Sequence, residues 1–210
     1  MHPSIYSIRC NHQTNLGTDG VLSAWTESDH SKEPFMKRLL LAAALVCVPL
    51  TAQQPTPFSL RAHLLAELKS THNVKEWFVP ANDAVAGLSA KDAAWTDGSG
   101  NHSVGMLANH LVFWDRRALE QLKGEKNAKF SGNNDETFNA FTEAQWAETQ
   151  KQLDEVLTEL ETYVETVDEK TLEKNASLLS HIATHNAYHI GQMLYVRKLH
   201  GVWNPENGVK

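Results

Sequence analysis

SHIATHNAYHIGQ, residues 180–192, spaces three histidines four residues apart: His181, His185 and His189. An α-helix turns once every 3.6 residues, so in a helix all three would project from one side. With His189 at zero on the wheel and about 100° per residue, His185 falls at roughly −40° and His181 at roughly −80°. Leu178 and Val196 fall at about −20°, Ile182 at about +20° and Met193 at about +40°. His185 and His189 therefore lie within the apolar stripe that faces a core, and His181 lies at its edge. A buried imidazole must satisfy its polar nitrogens. Two of them one turn apart can bring two nitrogens to one point, which suits a metal ion.

The segment belongs to a longer helical pattern, 176–201, which closes on Gly201 with Arg197, Lys198 and His200 in its last turn. Cations there complement the helix dipole, and glycine ends the helix. A third histidine stands in "MLANHLVFWDRR", residues 106–117. Relative to His110, Met106 falls at about −40°, Phe113 at about −60° and Trp114 at about +40°, so this too is a polar residue on an apolar stripe. Three histidines from two facing helices would hold a divalent cation as neutral ligands. They would leave it the full 2+ charge and an open position for water or substrate, as in catalytic zinc sites. The competing reading is a core histidine satisfied by a carbonyl.

Helical period dominates the rest of the chain, and no strand alternation stands out. Residues 56–88 read as one long helix or two joined near Pro80, and 89–103 as a loop broken by Gly98 and Gly100. A helix over 103–124 would open on Ser103 and stop at Gly124, followed by a polar loop over 124–141. Thr142 with Gln145 three residues on gives a capping-box start to a helix over 142–167. With 176–201 this predicts an all-α four-helix bundle.

Composition sets bounds on function. Of 210 residues, 41% are apolar and 21% charged, and the net charge is −6, which argues against a nucleic-acid or anionic-membrane partner. From Met36 the chain runs "MKRLLLAAALVCVPLTAQQ": a basic pair, an apolar run and small residues ending at Ala52. This order is that of a signal peptide, and the run is too short to span a bilayer. Residues 36–52 are therefore expected to be removed on export to the periplasm or the medium, leaving no stable membrane anchor. Residues 1–35 read as an extension upstream of the true start, without a fold of their own. Both cysteines, Cys10 and Cys47, then fall outside the mature segment 53–210, which keeps eight of the eleven histidines and carries 15 Lys and Arg against 21 Asp and Glu. A cysteine-free mature protein has no disulfide and no thiol nucleophile of its own.

"HNAYHIGQM" at 185–193, "NHLVFW" at 109–114 and "PANDAVAGLSAKDAAW" at 80–95 together resemble the DinB-like family of metalloproteins, over about residues 58–200. The resemblance implies a four-helix bundle of up-down-down-up topology. It implies a divalent metal, zinc or nickel, held by His110, His185 and His189, while His181 matches no ligand position. Some relatives are thiol-dependent transferases or isomerases, and members are usually intracellular, so the signal-like segment is a departure. The expected activity is that of a metal-dependent transferase or hydrolase acting on a small molecule, with a homodimer as an oligomeric option. The alternatives are a non-catalytic metal- or ligand-binding bundle and a purely structural helical protein. Around the ligands, Gln192 falls at about −60° from His189 and Arg117 at about −20° from His110. Gln192, Trp114 and Arg117 are therefore candidates to orient or meet a ligand. No Asp or Glu in these motifs reads as a general base, unlike the carboxylate of an HExxH protease.

Overall fold

A computed structural model of the protein describes residues 57–126 and 129–210. The expected upstream extension, 1–35, and the signal-like segment, 36–52, lie outside the described residues. Among those described, every regular element is helical, and none is long and apolar enough to cross a membrane. Four helices are long: α1 Leu60–His72, α4 Val104–Leu122, α6 Trp146–Thr166 and α7 Glu169–His200. Three are short: α2 Ala81–Val85, α3 Ala90–Ala94 and α5 Glu136–Asn139. α4 packs on α6 and α7, and α1 packs on the same two.

The long helices begin and end where local chemistry dictates. Ser59, Ser103 and Asp168 each accept a backbone N–H of the first turn of α1, α4 and α7, filling donors that a helix start leaves orphaned. Gly201, at φ 78°, closes α7 in the left-handed conformation that glycine adopts without penalty. Leu153, Val156, Leu157, Leu160 and Val164 recur on one side of α6 and are fully buried. They meet Leu64 and Leu68 of α1, Leu107 and Leu111 of α4, and Leu172, Leu179, Ile190 and Met193 of α7 in one apolar core. Burial of each such side chain contributes about 1.5–3 kcal/mol.

Five expectations are corrected. Over 56–88 the two-helix alternative holds, but the helices are separated rather than joined near Pro80, since α1 ends at His72 and α2 begins at Ala81. The buried His72 ring pairs through Nδ1 with Glu161 at 2.6 Å and through Nε2 with Asp154 at 2.9 Å, both on α6. Pro80, lacking an N–H, then sits at the N-cap of α2. The loop over 89–103 contains α3, started by Ser89, whose Oγ accepts the Asp92 N–H. The loop over 124–141 contains α5, whose Thr137 and Phe138 are buried. The Thr142 N–H does donate to Gln145 Oε1 at 3.0 Å, but the turn it caps is 3₁₀ and α6 proper starts at the buried Trp146. α7 begins seven residues before the expected 176, capped by Asp168.

Candidate metal centre

His110 stands in the middle of α4, and His185 and His189 stand one turn apart on α7. Helix packing brings them together: His185 Nε2 lies 3.2 Å from His110 Nε2 and 3.1 Å from His189 Nε2. One ligating nitrogen from each falls within 4.8 Å of the others. Around a tetrahedral zinc with Zn–N of 2.0–2.1 Å, two ligand nitrogens sit about 3.3 Å apart. The triad has nearly that spacing.

The protonation pattern follows from the hydrogen bonds. Thr137 Oγ1 donates its proton to Asn134 O at 2.6 Å. It must therefore accept from His110 Nδ1, which lies 2.6 Å away. Gln192 Oε1, an acceptor, lies 2.6 Å from His189 Nδ1. Both rings thus carry their proton on Nδ1 and present bare Nε2 lone pairs. His185 Nε2 can donate to one of these at most. Lone pairs converging at 3 Å repel unless a cation sits between them, and protonation is disfavoured. Burial pushes His110 down to about 3 and His189 down to about 4, helped by the neighbouring histidines, and burial lowers His185 as well. The three are neutral at pH 7, as metal ligands must be.

Residues outside the expected set hold the triad. Thr137 and Phe138 come from α5, in the stretch that reads as a polar loop. The Phe138 ring stacks on His110 at 3.8 Å between centroids, nearly parallel. Asn109 Nδ2 donates to Thr137 O at 2.7 Å and ties α5 to α4. A fixed ring with its second nitrogen bonded is the usual support of a metal-bound histidine. Replacing Thr137 by Val removes the acceptor on Nδ1 and nearly preserves shape. We expect metal affinity to fall roughly 10- to 100-fold with the fold retained, read by competition against a chromogenic chelator. Unchanged affinity would mean that stacking alone orients His110.

The triad opens into a cavity of about 610 Å³, whose walls include Trp114, Phe138 and Ile182. Gln192 lines it while holding His189, and Trp114 Nε1 donates to Asn134 Oδ1 at 3.2 Å. His181 is exposed at the cavity's edge and lies outside the triad. Arg117 lines the adjoining cavity instead, with its guanidinium 5.7 Å above Phe113 and 5.9 Å above Phe130. Asp115, which the motifs do not single out, is buried and lines the triad's cavity. Burial pushes its carboxyl up to about 8, opposed by the side chain of Asn186.

The site is thus a three-histidine cluster on two packed helices, walled by aromatic residues, in an all-helical protein. The family model of the DinB superfamily matches residues 81–193, more than half of the chain and all three histidines, and the chain belongs to that superfamily. No curated protein and no solved structure matches it. The superfamily has metal-binding members, and His110, His185 and His189 are close enough to hold an ion.

Proposed function

We propose that the protein binds a divalent cation, zinc or nickel, through Nε2 of His110, His185 and His189, and acts as a metal-dependent transferase or hydrolase on a small molecule. The observation that carries this reading is the pair of imidazoles, His110 and His189, whose Nδ1 atoms are committed to acceptors while their Nε2 lone pairs meet at His185. A bound cation supplies Lewis acidity, lowering the pKa of a coordinated water or thiol toward neutrality. Thr137 and Gln192 hold the ligating rings in register. Trp114, Phe138 and Ile182 make the cavity apolar, which strengthens electrostatic attraction within it and favours a small-molecule occupant.

The four long helices form, on this reading, an up-down-down-up bundle. The partner is a small molecule rather than nucleic acid, in keeping with a net charge of −6, and a second copy of the chain completes a homodimer. The basic–apolar–small order from Met36 supports export with cleavage after Ala52. N-terminal sequencing of protein expressed in a bacterial host should then give Gln53 as the first residue, and a start at Met1 or Met36 would overturn export. The metal reading is tested with cobalt, whose visible spectrum reports its coordination. Three protein ligands leave an exchangeable position, so azide and small thiols should shift the bands. Bands that none of them shifts would mean a closed, structural metal joining α4 to α7.

A further inference from the structure

Asp115 Oδ2, on α4, is buried with no hydrogen-bond partner, and the buried Asn186 amide of α7 is the side chain that reaches the Asp115 carboxyl. Asp115 is 1% exposed and Asn186 is fully buried. Buried polar groups in folded proteins are nearly always satisfied, and an orphan marks a missing water, ion or ligand. Asp115 lines the same cavity as the triad. It follows His110 by five residues, roughly 7.5 Å along the axis of α4 and about 140° around it. The cavity therefore has a metal-binding end and, about a turn and a half away, an unsatisfied carboxyl.

The charge balance says what fits between them. Three neutral imidazoles leave a divalent cation both its positive charges. Asp115 subtracts none at neutral pH, because burial keeps its carboxyl protonated. A neutral carboxyl donates an O–H, accepts at its carbonyl, and does not repel an anion. Asp135 is the other acidic side chain on the cavity wall, and it is exposed. The loaded cavity is thus net positive at one end and a neutral donor at the other.

We propose that Asp115 is the second anchor of the triad's ligand, and that this ligand is a small bifunctional anion. One anionic atom binds the metal, and a hydrogen-bond acceptor, such as a second carboxylate, accepts from Asp115. The inference rests on the metal reading above and adds to it the class of compound.

The test uses the full chain loaded with cobalt at pH 6.5, titrated with propionate, malonate, succinate and glutarate while the visible bands are followed. Chelation of the metal by both carboxylates favours malonate. Anchoring at Asp115 favours the longer diacids, and succinate or glutarate should bind at least tenfold more tightly than propionate or malonate. Asp115→Leu should abolish that preference without changing cobalt uptake, and Asp115→Asn, which keeps a donor, should retain it. Wild-type protein that binds propionate or malonate as tightly as the longer diacids would overturn the anchor, whether or not the Leu variant folds. So would an Asp115→Leu variant that keeps the preference. A cobalt spectrum with a flat ligand series removes the anchor alone, whereas no cobalt spectrum at all removes the metal reading and the anchor with it.

Discussion

His185→Ala should abolish tight metal binding, and His181→Ala should leave it intact. The two residues lie one helical turn apart on α7 and carry the same side chain, so composition cannot separate them. Geometry does. His185 Nε2 is the atom within 3.2 Å of both other ligand nitrogens, and His181 is exposed and outside the cluster. Loss of an outer partner of a metal ligand costs about 10- to 100-fold in affinity. Loss of a ligand itself should exceed the upper end of that range. Stability gives an independent readout. A ligand at 100 times its Kd stabilises the folded state by about 2.7 kcal/mol, which for a domain of this size raises Tm by roughly 5–10 °C. Wild type and His181→Ala should show such a shift on adding zinc, and His185→Ala should show none. Equal loss in both variants would mean that the metal-binding face of α7 is wrongly placed.

Asp115→Asn should change how stability of the metal-free protein depends on pH. The Asp115 carboxyl titrates near 8 in the folded protein and near 3.8 in the unfolded chain. Between those values the folded state holds one proton more, so stability falls as pH rises, by up to about 1.4 kcal/mol per unit. Above about 8 both states are ionised and the slope from this group ends. The triad pulls the other way at lower pH. His110 and His189 are held near 3 and 4, below the ordinary 6.5, so their contribution to stability grows as pH rises toward 6.5 and is flat beyond it. The window from about pH 6.5 to 8 therefore isolates Asp115. Urea denaturation with a chelator present should show wild type losing stability across that window and Asp115→Asn holding steady. Parallel profiles would mean that Asp115 is already ionised in the folded protein.

The long helices and the three clustered histidines are legible in the sequence because their signals are local. His185, His189, Ile182 and Met193 announce a buried stripe on α7 by spacing alone, and His110 among Met106, Phe113 and Trp114 does the same on α4. What is not legible depends on contacts between distant segments. Thr137 and Phe138 sit in a polar stretch without helical period, and they are buried because α5 folds back onto α4. Asp115, at about +140° from His110 on the wheel, reads as a solvent-facing residue. It is buried, with Asn186 of α7 reaching its carboxyl. His72, the last residue of α1, pairs with Glu161 and Asp154 on α6, a pairing that no local pattern signals. Arg117 is the converse case. Its wheel position places it beside His110, but two turns of rise carry it into the neighbouring cavity over Phe113 and Phe130.

Zinc loading should give one divalent cation held by three histidines from two helices, with a position left open. X-ray absorption at the zinc edge, on protein loaded with one equivalent of zinc, counts those ligands directly. The expected result is three imidazoles with Zn–N of about 2.0–2.1 Å and one further light atom from water or a small ligand. A shell of oxygen atoms with one imidazole or none would contradict it.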